Sequence, residues 1–111
     1  MRIISVRKLK DFWTTDAYAD SETALGHWIE IVKRSAWDSP SDIKATFGKR
    51  VDFVATRGSG STVAVFDIAG NKYRLIAAIH HLPAHAEKGR VYVLRILTHR
   101  QYDQQRWKEE L

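Results

Sequence analysis

The segment VYVLRILTHRQYD, residues 91–103, contains residue types that can act together on a phosphodiester. Among these side chains are Arg95, His99, Tyr102 and Asp103. The preceding apolar segment, KYRLIAAIH at residues 72–80, carries Arg74. Fixed arginines neutralise the negative charge that develops in phosphoryl chemistry, and a histidine transfers protons near neutral pH. These residue types at the ends of two strands therefore predict a site that handles a phosphate group.

Each of these side chains also has an ordinary structural explanation. An arginine on a strand is more often a surface ion-pair partner than a functional residue, and a histidine in the first turn of a helix is usually solvated. A tyrosine such as Tyr102 more often packs half-buried against its neighbours. A separate alternative is a metal site formed by His80, His81 and His85. Their spacing is not a zinc pattern, and adjacent side chains point apart on a strand, so we predict no metal site.

Two kinds of periodicity divide the chain into a helical first half and a β second half. Apolar residues recur at three- and four-residue spacing around Leu9 and Leu25, which predicts two amphipathic helices. The segment SPSDIKATFG predicts a third, short helix that begins near its proline and ends at its glycine. Four strands are predicted, at 51–56, 61–68, 72–80 and 90–97, with an additional edge strand through residues 1–5.

These elements together predict the class of fold. The short turns between the first three strands favour an antiparallel meander, and the amphipathic helices are expected to cover one face of it. We therefore expect an α+β fold with N-terminal helices packed on an antiparallel sheet of four to five strands and a C-terminal helix. A chain of 111 residues has room for one such domain, spanning 1–111.

The alternation of side chains along the last two strands predicts which residues share a face. On residues 72–80 the apolar face places Arg74 on the opposite side. On the following strand, three residues are predicted to face the core: Tyr92, Leu94 and Ile96. Four are predicted to point the other way: Val91, Val93, Arg95 and Leu97. If the two strands are neighbours, both arginines line one groove.

The start of the last helix has its own signal in the sequence. Thr98 and Gln101 fit the T-x-x-Q capping box, which places His99 in the first turn. Three residues are spaced to share its face: Tyr102, Asp103 and Arg106. A helix N-terminus has unpaired N–H groups and partial positive charge, and both attract phosphate.

Composition limits the function classes. The net charge is +5, and residues 70–100 hold six lysines and arginines against Glu87 alone, so this stretch carries the whole excess. A polyanion partner or a solvated basic surface would each account for it. The chain has no cysteine, which excludes disulfides and a thiolate nucleophile. No apolar run is long enough for a bilayer and no signal-peptide pattern is present, so we expect a cytoplasmic protein without membrane contact.

Two segments carry a resemblance to a known family. FDIAGNKYRLIAAI, residues 66–79, and VYVLRILTHRQYD closely resemble the paired signature of HigB-type toxins of the RelE superfamily, in which a G-N-x-x-R-L strand precedes an arginine-bearing strand that leads into T-H-x-x-Y-D. The resemblance extends to the first half of the chain, including WDSPSDIKATFG. Two positions depart from the pattern: Asp67 stands where asparagine is common, and Leu97 stands where a small residue is common.

The resemblance implies a RelE-like fold and an mRNA interferase, a toxin that cleaves mRNA on the ribosome and is inhibited by a helix-turn-helix antitoxin of the HigA type. It implies no cofactor. The implied catalytic residues are Arg74, Arg95, His99 and Tyr102, with Asp103 in support. The basic stretch supplies the RNA-binding candidates Lys72, His80, Arg90 and Arg100.

The hypothesis that follows is cleavage without a metal, in which the 2′-hydroxyl of the RNA attacks the adjacent phosphorus. On this hypothesis the arginines neutralise the phosphate and His99 protonates the departing 5′-oxygen, while Lys72 or Tyr102 assists. The alternative is a non-catalytic RNA- or antitoxin-binding module with a basic groove.

Overall fold

The computed structural model describes residues 1–80 and 89–111. Its strands are β1 (Arg2–Ile4), β2 (Val51–Ala55), β3 (Thr62–Ile68), β4 (Tyr73–His80) and β5 (Arg90–Thr98). They form one five-stranded sheet in the order β1-β5-β4-β3-β2. Strands β2 to β5 pair antiparallel, as predicted for a meander, and β1 adds to the outer edge of β5 in parallel. The α+β prediction is confirmed.

The α-helices of the described chain are α1 (Arg7–Trp13), α2 (Glu22–Arg34), α3 (Pro40–Phe47), α4 (His99–Asp103) and α5 (Arg106–Glu110), and 3-10 helices lie at Asp16–Ser21 and Gly48–Arg50. The predicted short helix is α3: its N-cap Ser39 accepts a hydrogen bond from the Asp42 amide, and Pro40 lies in its first turn. Gly48 ends it with a φ of 61°, a backbone conformation that favours glycine.

The main hydrophobic core lies between the sheet and the first three helices. Leu25, Trp28 and Val32 of α2 are buried in it, as are Leu9 of α1 and Ile43 of α3. On the sheet, Phe66 and Leu75 are fully buried against these helices. The helical spacing read from the sequence therefore identified the residues that attach the helices to the sheet.

A second, smaller cluster lies on the opposite face of the sheet. Its buried members are Val63, Val65, Ile76 and Trp107. Since Val63 and Val65 alternate with residues of the main core along β3, this cluster occupies the face that the first three helices leave uncovered. The expectation that helices cover one face only is incomplete, because α5 places Trp107 on the second face.

A β-bulge changes the faces of β5. Ile76 of β4 pairs with Arg95, but its neighbour Ala77 pairs with Val93, so Leu94 is an extra residue in β5. An extra residue reverses the alternation of every side chain that precedes it.

The predicted faces of β5 are therefore wrong before the bulge and correct after it. Val91 and Val93 are buried in the main core rather than on the second face, and Leu94 packs against the second cluster rather than in the main core. Beyond the bulge, Ile96 packs on the main core and Leu97 on the second cluster, as predicted.

The last helix is divided in two. The capping box is present, because the Thr98 side chain accepts from the Gln101 amide and the Gln101 side chain accepts from the Thr98 amide. Helix α4 ends after five residues, and Gln105 adopts a left-handed conformation with a φ of 60° before α5 begins. The prediction that Arg106 shares a face with His99 is therefore wrong. No helix in the described parts of the chain has the length and apolar character needed to cross a bilayer.

Candidate functional site

Arg74 is the centre of the candidate site. It lies on the second face of the sheet, opposite Asp67 on β3 and Leu97 on β5, and is only 8% exposed. A buried guanidinium requires hydrogen-bond partners. Its Nε donates to Asp67 Oδ1 at 3.2 Å, and its Nη1 donates to the Tyr73 carbonyl at 3.1 Å. Its Nη2 donates to Asn71 Oδ1, so the edges of the planar group are held by three protein acceptors.

His99 joins this group from the start of α4. Its backbone N–H donates to the Lys72 carbonyl at 2.9 Å, which fixes the helix N-terminus beside the start of β4. Its Nε2 lies 2.9 Å from Asp103 Oδ2. Its Nδ1 lies 3.1 Å from the Asn71 carbonyl oxygen and 3.2 Å from Arg74 Nη2.

These contacts define the protons that the ring can carry. The Asp103 carboxylate only accepts, so it favours a proton on Nε2. Nδ1 has an acceptor and a donor within reach, the Asn71 carbonyl and Arg74 Nη2, so its surroundings can accommodate Nδ1 with or without a proton. An imidazole whose two protonation states are both accommodated is suited to proton transfer.

The ring of Tyr102 packs against a face of the Arg74 guanidinium. The Arg74 Cζ lies 5.6 Å from the centre of the Tyr102 ring, and Trp107 stacks on that ring with centroids 5.2 Å apart. The Trp107 Nε1–H donates to the Tyr102 carbonyl at 3.1 Å. Burial raises the pKa of the Tyr102 phenol, the nearby Asp52 carboxylate adds to the rise, and Arg74 opposes it. The phenol therefore remains protonated at neutral pH and can donate a hydrogen bond.

An open cleft of about 380 Å³ adjoins Arg74 and Tyr102 on this face. The residues that line it are Lys44, Lys49, Val51, Asp52, Val65, Asp67, Arg74 and Tyr102. We call it the Arg74 cleft. Sequence reasoning did not identify Lys44, Lys49 and Asp52 as site residues. The basic pair in FGKR beside the start of β2 is the signal that could have suggested this cleft, but only the folded chain shows that the segment faces Arg74.

Arg95 lies on the same face as Arg74, as predicted, but has different partners. Its Nη1 donates to the Leu94 carbonyl at 2.9 Å, and its Nη2 lies 3.6 Å from Glu110 Oε2 of α5. Arg95 is not among the residues that line the Arg74 cleft. The structure therefore places the two arginines on one face but not in one groove.

The predicted RNA-binding residues are spread over the sheet. Lys72 adjoins the site through its backbone, while its ammonium contacts Asp20 Oδ2 at 2.6 Å on the helical side. Arg100 is exposed on α4. His80 and Arg90 pair across β4 and β5 at the other end of the sheet. His80 is six residues beyond Arg74, about 20 Å along an antiparallel strand.

Of the three histidines considered for a metal, His81 and His85 lie outside the described residues. Among residues 1–80 and 89–111 no three histidine or carboxylate side chains converge in a way that could hold a metal ion.

Comparison with known proteins gives the family. The sequence profile of HigB toxins, described as the RelE-like toxic component of a toxin-antitoxin system, matches residues 21–105. The chain belongs to the HigB toxin family. The match includes every residue of the Arg74 cleft, His99 and Asp103, and it ends just before α5. No curated protein matches the chain. Membership in this family makes this HigB-type protein a toxin with an antitoxin partner.

Proposed function

We propose that this HigB-type toxin is an endoribonuclease that cuts mRNA on the ribosome and thereby inhibits translation. The observation that carries the proposal is the convergence of Arg74, His99 and Tyr102 beside an open cleft. This set supplies a fixed positive charge, a proton-transfer group and a neutral hydrogen-bond donor. RNA contains its own nucleophile, the 2′-hydroxyl, so the reaction requires neither a protein nucleophile nor a cofactor.

In the proposed reaction the 2′-oxygen forms a bond to phosphorus and the bond to the 5′-oxygen breaks. The products are a 2′,3′-cyclic phosphate and a 5′-hydroxyl. Arg74 stabilises the charge that develops on the phosphate, and Arg95, which lies outside the cleft on the same face, reaches the phosphate after it leaves Glu110. His99, with protons on both ring nitrogens, donates its Nε2 proton to the departing 5′-oxygen, which takes the place of Asp103 Oδ2 at that nitrogen, and keeps its Nδ1 proton hydrogen-bonded to the Asn71 carbonyl.

The proton of the 2′-hydroxyl passes to water. The two carboxylates that contact these side chains are each paired, Asp67 with Arg74 and Asp103 with His99. We assign no proton transfer to Asp52, the third carboxylate near the site. A site with a proton donor and no dedicated base depends strongly on how the RNA is aligned. We therefore assign the alignment of the 2′-oxygen, phosphorus and 5′-oxygen to the ribosome.

The proposed partners follow from this reaction. They are mRNA, the ribosome and a HigA-type antitoxin with a helix-turn-helix domain, and they place the toxin in the cytoplasm. Arg100 lies on α4, close enough to its start to contact the RNA backbone next to the cut, and Lys72 can do so once its ammonium leaves Asp20. His80 and Arg90, at the far end of the sheet, belong to a separate contact with the ribosome or a more distant part of the mRNA.

The test is cleavage of a defined mRNA in a purified translation system, with new 5′ ends mapped by primer extension. We expect cuts with ribosomes present and 5′-hydroxyl ends at the cuts. His99→Ala should lower the cutting rate by about 10²-fold or more, as expected for loss of a general acid. The matched control is Arg34→Ala on α2, which removes one exposed charge outside the site and should cut normally.

Two results would reject the proposal. One is an unchanged cutting rate in His99→Ala. The other is the absence of cuts under every condition together with salt-sensitive RNA binding, which would favour the alternative of a binding module that contacts phosphates without chemistry. Free RNA in the presence of a strong chelator forms a separate arm, because ribosomes need magnesium. Any cutting of free RNA that the chelator abolishes would contradict the metal-free mechanism.

A further inference from the structure

We propose that the Arg74 cleft binds the nucleotide next to the cut and selects a base that carries an exocyclic amino group, guanine best of all, through Asp52. This inference rests on the proposed function, because it assigns the bound molecule as single-stranded RNA. It adds three residues that the reaction itself does not use: Lys44, Lys49 and Asp52.

The size and lining of the cleft fit one nucleotide. Its volume of about 380 Å³ is at the small end of the range for pockets that hold organic ligands, roughly 300–1,000 Å³. The Tyr102 ring borders the cleft and contributes an aromatic contact, whereas Val51 and Val65 line it but are almost fully buried. Unstacked RNA bases bind against aromatic side chains, because each base has two apolar faces and a polar edge.

The lysines of the cleft supply contacts for a phosphate. The Lys44 ammonium donates to the Val51 carbonyl at 2.8 Å, which holds it at the cleft and leaves two of its three N–H groups for a ligand. Lys49 lines the same cleft from the 3-10 turn at Gly48–Arg50. With Arg74 they give three cations in one cleft, which suits a nucleotide with a phosphate on each side.

The two carboxylates of the cleft have different roles. Asp67 is paired with Arg74 and holds that arginine in place. Asp52 is exposed, and its Oδ1 accepts a hydrogen bond from the neighbouring Phe53 amide at 2.9 Å. Within residues 1–80 and 89–111 its Oδ2 has no hydrogen-bond partner and is available to a ligand. Its charge reaches the cleft wall, since it contributes to the raised pKa of the Tyr102 phenol.

A carboxylate discriminates among bases because it only accepts hydrogen bonds. Guanine presents two adjacent donors, N1–H and the N2 amino group. Adenine and cytosine each present one amino group beside a ring acceptor. Uracil presents N3–H between two carbonyl oxygens, which repel a carboxylate. Asp52 should therefore favour guanine, accept adenine and cytosine less well, and disfavour uracil.

The experiment measures binding of uncleavable RNA to the purified full-length toxin. The probes are four 2′-O-methyl trinucleotides, UGU, UAU, UCU and UUU, titrated while amide chemical shifts are followed by NMR. We expect shifts at Lys44, Lys49 and Asp52, and UGU should bind about tenfold more tightly than UUU, the discrimination typical of a good polar contact to a base edge. Asp52→Asn should reduce this preference to less than threefold, because an amide both donates and accepts.

The control and the contrary outcomes separate this inference from the proposed function. Asp16→Asn removes an exposed carboxylate outside the cleft and should keep the preference. Equal binding of UUU and UGU would overturn the inference. So would a preference that survives Asp52→Asn, or shifts confined to residues outside the cleft. None of these measurements requires cleavage, so a toxin that fails to cut mRNA would reject the proposed function while the binding data still decide the base preference.

Discussion

Asp67 holds the buried guanidinium of Arg74, and replacing it with asparagine should change stability and RNA affinity in opposite directions. Asparagine keeps an oxygen that can accept from Arg74 Nε, so the contact at 3.2 Å survives without its charge. A hydrogen bond to a charged group contributes about 1.5–3 kcal/mol and a neutral one about 0.5–1.5 kcal/mol. Since Asp67 is partly exposed, we expect Asp67→Asn to lower the free energy of unfolding by about 1 kcal/mol.

The effect on RNA follows from Coulomb's law. A phosphate bound beside Arg74 lies roughly 6 Å from the Asp67 carboxylate, and at a water-like dielectric this repulsion is about 0.7 kcal/mol. Its removal should tighten binding of the uncleavable trinucleotide UGU about threefold at low salt. The gain should shrink as salt rises, because counter-ions screen exposed charges beyond the Debye length, about 10 Å at 0.1 M.

The assays are urea unfolding and NMR titration of UGU at low and high salt. Asp16→Asn is the control, since it changes the net charge equally but lies outside the cleft. It should leave both the stability and the affinity nearly unchanged. The reasoning is refuted if Asp67→Asn weakens RNA binding, because Asp67 would then contribute more by orienting Arg74 than it costs by repelling phosphate.

Three further predictions concern the elements that support the site. Trp107→Ala should lower the free energy of unfolding by about 3–5 kcal/mol, the usual cost of removing a buried aromatic, whereas a loss below 1 kcal/mol in urea unfolding would contradict its packing on Tyr102. Gly58→Ala should loosen α5, because a Cβ there would lie 2.7 Å from the Glu109 backbone oxygen; hydrogen exchange should rise at α5 amides and not in α2. A hydrogen bond to Asp20 raises the pKa of Tyr73 from 10.0 to about 12, so its stabilising contribution is complete below pH 10 and is lost as pH rises from 10 to 12. Thermal melts should show this loss in the wild type and a smaller one in Tyr73→Phe; equal losses would contradict the assignment.

Local patterns in the sequence predicted most of the fold. The helix around Leu25 and the capped helix at Pro40 were identified because their apolar spacing and capping residues act within a few residues. The sequence did not predict which side chains of β5 point to each face of the sheet. The bulge at Leu94 is set by pairing with β4 and has no signature in β5 alone. The end of α4 was also missed, because Gln105 is neither glycine nor asparagine and gives no sign of its left-handed backbone.

The candidate site was predictable in its centre and not in its surroundings. Arg74 and His99 were identified from residue type and position, and the structure brings them within 3.2 Å. The cleft beside them depends on segments distant in sequence, such as α3 and the start of β2. Lys44 belongs to it because the helix returns the chain to the sheet beside Val51, a tertiary relation that no local pattern encodes.

The two arginines of the site differ in how firmly the fold holds them. The donors of Arg74 are largely used by Asp67, Asn71 and Tyr73, so its position is fixed within the fold. Arg95 has a side chain that is 36% exposed, and its ion pair with Glu110 is 3.6 Å long. An exposed pair of this kind contributes only about 0–1 kcal/mol, so a phosphate can readily take Arg95 from Glu110. In the proposed reaction Arg74 therefore sets the charge and geometry of the site, and Arg95 is the arginine that can move to follow the phosphate as its charge increases.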